Sequence, residues 1–199
     1  MNSELPKLKI IIVGDTGVGK TTILTQYIKK TFTKTNLSTI GSELYIKEVE
    51  IEGQKLRCEI WDTPGQIRFK SITKSFIQKT NIGIMVCDIT KQVTFDNLNE
   101  WYNTFKNIID VNKCVIGIAA NKSDLFEKEV VHLNQIHEFG KSINCKVFST
   151  TATQYECLEN MFLELIKDYY YQFIKEKEFI VDDLTILEGL QNPKNKKCC

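Results

Sequence analysis

A chain of 199 residues, 42% hydrophobic and 26% charged, has the size and composition of one globular domain with a full core. Its net charge of +1 argues against general nucleic-acid binding, and no apolar run reaches the roughly 18 residues of a membrane span. All basic residues except Arg57 and Arg68 are lysine, which we read as genome composition rather than function. No signal peptide is expected, because the first apolar run covers only about six residues and follows charged ones. The seven cysteines show no C-x-x-C spacing. Cys58, Cys87, Cys114 and Cys145 sit in or beside apolar runs and read as small core residues of a reducing, cytosolic chain.

The first apolar run, Leu8–Val13, is a buried strand, and Gly14-Asp15-Thr16-Gly17-Val18-Gly19-Lys20-Thr21 follows it. The pattern G-x-x-x-x-G-K-[ST] is a phosphate-binding loop. Polyphosphate needs backbone N–H groups brought close, which side chains at Gly14, Gly17 and Gly19 would obstruct. It also needs a flexible cation, Lys20, and a hydroxyl for Mg²⁺, Thr21. A helix over about 20–30, with Thr22 in its first turn, would point its positive end at the phosphates.

Strand runs follow at 43–51 and 55–61, joined by a hairpin turn at Glu52-Gly53-Gln54, so this pair is antiparallel. The second run ends in Trp61-Asp62-Thr63-Pro64-Gly65-Gln66. There Asp62 can hold Mg²⁺ through water, Gly65 can offer an N–H to a γ-phosphate, and Gln66 can orient an attacking water. Upstream, in Ser38-Thr39-Ile40-Gly41, Thr39 can add a second hydroxyl to the metal.

Further strands are expected at 82–88, 114–120 and 145–149, and helices at 92–110, 131–143 and 155–177. Phe95, Leu98, Trp101, Tyr102, Phe105 and Ile109 form the core face of the first of these helices. His132 and His137 lie on the second, without metal-ligand spacing. After strand 114–120 comes Asn121-Lys122-Ser123-Asp124. A carboxylate accepts from two donors at once, and guanine offers such a pair at N1 and its 2-amino group. Adenine lacks the second donor and would leave the Asp124 carboxylate partly unsatisfied. The sum is a three-layer α/β phosphate-loop fold: a six-stranded, mostly parallel sheet with one antiparallel strand and about five helices, its ligand at the carboxyl ends of the strands.

These motifs, in this order and spacing, resemble the Ras superfamily of small GTPases over about 8–171, and within it the Rab family. Asn121 opening the base motif, the Arg68-Phe69-Lys70-Ser71-Ile72-Thr73 segment and the Cys198-Cys199 ending point to Rab. The resemblance implies that Asp15, Thr16, Gly17, Val18, Gly19, Lys20, Thr21, Thr22, Phe32, Thr39, Gly65, Asn121, Lys122, Asp124, Thr151 and Ala152 bind the nucleotide. It makes Thr21, Thr39 and Asp62 the Mg²⁺ set, and Gln66 with Lys20 the catalytic pair. It also implies geranylgeranyl groups on Cys198 and Cys199.

The implied molecule is a monomeric, Mg²⁺-dependent switch between GTP and GDP, acting in vesicle-mediated membrane traffic. Its partners are an exchange factor, a GTPase-activating protein, effectors, a prenylation escort and a GDP-dissociation inhibitor, with no nucleic acid among them. It is expected on the cytoplasmic face of intracellular membranes, with a cytosolic pool. Residues 1–177 form the domain, and residues 178–199 a tail. Within the tail, Ile186-Leu187 either docks the escort or continues the last helix.

Departures from the family are informative. Pro64 stands for the usual Ala and Ile67 for Glu, so a stiff residue sits beside Gly65 in a segment that must reorganise between nucleotide states, and Ile67 lacks the carboxylate that helps stabilise the nucleotide-free state in the family. Thr150-Thr151-Ala152-Thr153 replaces T-S-A-K. Of the effector-facing aromatic triad, Trp61 and Phe76 are kept and Leu44 replaces Phe. Two rivals follow: a GTP-bound scaffold that scarcely hydrolyses, because Thr16 and Pro64 crowd the γ-phosphate, and a phosphate-loop ATPase or nucleotide kinase, opposed by Asn121 and Asp124.

Overall fold

The chain's structure is a computed structural model that describes residues 5–31, 42–65 and 75–175. Six strands form one sheet: β1 (Lys7–Gly14), β2 (Glu43–Ile51), β3 (Gln54–Asp62), β4 (Ile82–Asp88), β5 (Val115–Asn121) and β6 (Lys146–Thr150). Their order is β2-β3-β1-β4-β5-β6, and only the β2–β3 pair is antiparallel. The expected sheet is met strand for strand, with ends shifted by a residue or so. At the hairpin, Glu52 and Gly53 both have positive φ (50° and 81°), and Gln54 already pairs with Ile51. Two such residues match the right-handed twist of the strands they join.

The central strands are apolar on both faces because helices cover both. Leu8, Ile10 and Ile12 of β1 face one core layer, with Ile84 and Val86 of β4 and Ala119 of β5. That layer is closed by α1 (Lys20–Lys29) and by α5 (Tyr155–Tyr169), whose Leu158, Met161, Phe162 and Leu165 are buried. Tyr27 of α1 stacks on Phe162 at 3.9 Å between ring centroids. The alternate residues Ile11, Val13, Met85, Cys87, Ile116 and Ile118 face the opposite layer.

There the expected single helix over 92–110 is two pieces, α2 (Gln92–Asp96) and α3 (Leu98–Lys106), meeting at Asn97. Asparagine is a weak helix former because its amide competes for hydrogen bonds, and this one points away to Asp15. The 3.6-residue phase survives the junction, so Leu98, Trp101 and Phe105 stay buried.

Helix α4 (Leu133–Ser142) begins later than its apolar spacing suggested. His132 therefore sits before the helix rather than on it. Its backbone N–H donates to Gln135 Oε1 at 3.1 Å, which satisfies a donor the helix cannot. Beyond α5 the chain widens into a π-helical segment, Tyr170–Lys175. Tyr171 and Lys175 reach back to Glu52 at 2.8 and 2.6 Å, tying this end of the domain to the hairpin.

Candidate nucleotide-binding site

Every expected site residue within the described ranges lies at one end of the sheet, where β1, β3, β5 and β6 release the chain into loops. Between β1 and α1 the loop closes around Lys20, which is 6% exposed. Its Nζ donates to the carbonyls of Gly14 (2.7 Å) and Asp15 (2.8 Å), and a three-donor ammonium retains capacity for an anion. Burial pushes the Lys20 amine down to about 8, opposed by Asp62 and Asp15. A desolvated cation of this kind favours a negative partner. Gly19 precedes α1 with φ +102°, and a Cβ there would stand 2.5 Å from Asn121 Nδ2. A side chain there would be strained at this φ and would push the Asn121 amide from its place against the loop.

At the end of β3, Thr21 Oγ1 donates to Asp62 Oδ2 at 2.5 Å. Asp62 is fully buried, and its Oδ1 has no hydrogen-bond partner among the described residues. Burial raises its pKa, against the Thr21 hydroxyl and the Lys20 charge. An orphaned carboxylate oxygen beside a hydroxyl, both hard oxygen donors, fits a divalent cation of the Mg²⁺ type. The chain then turns hard against the loop. Thr63 Oγ1 donates to Ile12 O at 2.7 Å, and a Cβ on Gly65 would meet Lys20 Nζ at 2.5 Å and the Asp15 carbonyl at 2.6 Å. Pro64, between them, is buried.

On the other side, Asn121 Nδ2 donates to Val18 O at 2.7 Å and Lys122 Nζ to Gly17 O at 2.8 Å. Two segments more than a hundred residues apart thus share one surface. Thr151, 3% exposed, donates from Oγ1 to Asp124 Oδ1 at 2.6 Å. Its single proton is committed there, since a carboxylate only accepts. The Thr153 hydroxyl, 2.8 Å away, must therefore donate to Thr151, as does the Thr153 N–H at 3.2 Å. The two threonines thus form a relay that orients Asp124. Ala152 is buried beside it.

Three residues escaped the sequence reading. Asp88 closes the otherwise apolar β4 and receives Lys122. The carboxylate ending that run was the signal. Asn97 and Trp101 hold Asp15 (2.6 and 3.0 Å), and only the Asn within an amphipathic stripe hinted at it. Phe32, Thr39, Gln66, Cys198 and Cys199 lie outside the described residues. Of the three residues expected to face effectors, Leu44 pairs opposite Trp61 across β2 and β3, and Trp61 lies 5.2 Å from Phe76 between ring centroids. Among the described residues, no helix is long and apolar enough to cross a membrane.

Comparison with known proteins agrees with this arrangement. The Ras family model matches residues 9–171. Over 196 residues, 96% of each chain, the sequence is 32% identical to Ras-related protein Rab-1A of Dictyostelium discoideum. It is 36% identical to GTP-binding protein ypt1 of Schizosaccharomyces pombe over 168 residues, 83% of this chain and 81% of that one. Ras-related protein Rab-1D of Dictyostelium discoideum is 35% identical over 162 residues, 80% and 78% of the two chains. A family match across the whole described domain, on a sheet that gathers the motifs at one edge, means that the chain belongs to the Rab family of small GTPases.

Proposed function

We propose that this chain is a Mg²⁺-dependent guanine-nucleotide switch that hydrolyses GTP slowly and, while GTP-bound, recruits effectors of vesicle-mediated membrane traffic. One observation carries the reading: Asn121 and Lys122 grip the carbonyls of Val18 and Gly17. A base-reading segment welded to a phosphate loop measures the whole nucleotide, base and phosphates together. Lys20 binds the outer phosphates, with Asp15, Thr16, Gly17, Val18, Gly19, Thr21 and Thr22 lining them. Asp124 reads the guanine edge, Ala152 offers its N–H to the guanine oxygen, and Phe32 is the aromatic that the family resemblance assigns to the base.

Thr21, Thr39 and Asp62 would hold Mg²⁺, which when bound neutralises charge on the phosphates. Gln66 orients the attacking water, and Gly65 offers its N–H to the γ-phosphate. The arginine that completes stimulated turnover comes in trans, from a GTPase-activating protein. Residues 1–177 form the switch, and residues 178–199 the tail that carries prenyl groups on Cys198 and Cys199. An exchange factor, a prenylation escort and a GDP-dissociation inhibitor complete the cycle between cytosol and the cytoplasmic faces of membranes.

A second reading, a GTP-bound scaffold that scarcely hydrolyses, is favoured by Pro64, buried next to a Gly65 packed on Lys20. Extracting the nucleotide from the purified protein and following one turnover separates the possibilities. The switch gives guanine nucleotide and unaided hydrolysis at roughly 10⁻⁴ s⁻¹, rising steeply with an activating protein. Guanine nucleotide without turnover under either condition establishes the scaffold, and adenine nucleotide overturns both.

A further inference from the structure

A carboxylate in a loop that must receive polyphosphate is an electrostatic liability. The Asp15 carbonyl oxygen already touches Lys20 Nζ at 2.8 Å, so the side chain of the same residue hangs within reach of that cation. Swung inward, it would compete with phosphate for Lys20 and repel the phosphate itself. It is not swung inward. Both carboxylate oxygens are occupied on the outer side, Oδ2 by Asn97 Nδ2 at 2.6 Å and Oδ1 by Trp101 Nε1 at 3.0 Å. Trp101 is 2% exposed in the core layer beneath α3, so its indole N–H is a fixed donor. Asn97 is held at the α2–α3 junction.

We propose that Asn97 and Trp101 are positioning residues that hold the Asp15 carboxylate away from Lys20 and so keep the phosphate loop open to nucleotide. The inference rests on the nucleotide reading above and adds a task for α3. Because a Cβ on Gly65 would strike the Asp15 carbonyl, the clamped residue is also the floor on which the Asp62–Gly65 segment lies. The clamp is outward-facing charge management. It predicts that the harm from opening it depends on the carboxylate being present.

The test is a suppressor experiment on the full chain, reading the rate of GDP release and the thermal melting temperature for the parent, Asn97→Ala, Asp15→Ala and the double variant. Loss of one charge-assisted bond should speed release in Asn97→Ala by about 10- to 100-fold. Adding Asp15→Ala, which removes the carboxylate but keeps the backbone N–H that lines the phosphates, should bring the rate back towards the parent. A merely structural role for Asn97 would instead leave the double variant as fast as the single one, or faster. That outcome overturns the proposal, as does Asn97→Ala releasing GDP at the parental rate. Trp101→Phe, which keeps the ring and removes the donor, should behave like Asn97→Ala and be rescued in the same way. A parent that retains no guanine nucleotide overturns the nucleotide reading, and this inference with it.

Discussion

Lys122 Nζ lies 2.5 Å from Asp88 Oδ2, joining the segment after β5 to the end of β4. Asp88 is fully buried, whereas the lysine is 29% exposed. The other Asp88 oxygen accepts from the N–H and hydroxyl of Thr90, at 2.9 and 2.6 Å. Lys122 is thus held from behind while its remaining bond goes to Gly17. Removing one partner of a fully buried pair costs about 3–5 kcal/mol, and the exposure of Lys122 reduces this to about 1–3 kcal/mol. Asp88→Asn keeps the Thr90 contacts but loses the ion pair. It should lower the melting temperature and speed GDP release, and calorimetry with a fluorescent GDP analogue would read both. Unchanged values would show that Lys122 is placed by its backbone alone.

The Thr153–Thr151–Asp124 relay bears on base choice. Asp124→Asn replaces one acceptor oxygen by an amide donor, so guanine should lose affinity and xanthine, with an oxygen at position 2, should gain it. Competition between GDP and XDP measures the reversal. Tight GDP binding by Asp124→Asn would remove Asp124 as the base reader.

The motif chemistry was legible in the sequence because it depends on chain-local geometry. A glycine-rich turn after a buried run, and Asn121 to Asp124 after another, each carry their own reason. The positions of the six strands and the antiparallel hairpin followed from apolar runs and one turn, whereas the strand order β2-β3-β1-β4-β5-β6 came from the structure. What the sequence hid was contact at long range. The Asp15–Trp101 and Lys122–Asp88 bonds join residues 86 and 34 positions apart, with no local signature beyond a polar group interrupting an apolar pattern. The break at Asn97 escaped for the same reason, since the apolar phase runs straight through it while the amide turns to a partner in another element.

Pro64, read from the sequence as a departure from the Rab pattern, is buried beside Gly65, where a Cβ would meet Lys20 Nζ. It fixes its own φ and restrains Thr63, whose hydroxyl is already tied to Ile12 O at 2.7 Å. Two restraints on adjacent residues stiffen the approach to Gly65. Pro64→Ala should raise the rate of GDP release, intrinsic or stimulated by an exchange factor, by up to about fivefold if roughly 1 kcal/mol of backbone restraint is relieved. Equal rates in parent and variant would make the proline a tolerated neighbour and remove the main support for a non-hydrolysing scaffold.

The buried thiols give a pH dependence. Burial pushes Cys58, Cys87 and Cys145 up to about 12 and Cys114 to about 11, from an ordinary value of 9.0. At pH 8 a thiol with a pKa near 12 is ionised in about one molecule in 10⁴, so alkylation should spare these four in the native protein. In the unfolded chain they ionise near 9, so their contribution to folding stability is fully present below that pH and is lost as pH rises towards 12. Mass mapping of iodoacetamide adducts, with and without denaturant, checks the first statement, and unfolding curves between pH 8 and 11 check the second. Rapid native labelling of Cys58 or Cys87 would mean that the sheet opens locally.

Cys198 and Cys199, proposed above to carry prenyl groups, offer a contrast, because they follow the polar run Lys194-Asn195-Lys196-Lys197. A disulfide between adjacent cysteines is strained, and a reducing compartment disfavours it. Prenylation of both would supply two anchors. At about 0.8 kcal/mol per buried CH₂, one chain binds a bilayer marginally and two bind it firmly, while each lysine adds up to about 1 kcal/mol at an anionic surface. Replacing both cysteines by Ser should move the protein entirely into the soluble fraction of its own cells while GTP binding persists. Replacing only one should leave a weakly held, salt-sensitive population. If the double-Ser variant still sedimented with membranes, the apolar residues of the tail, Ile186 and Leu187 among them, or a bound effector would be the anchor instead of lipid.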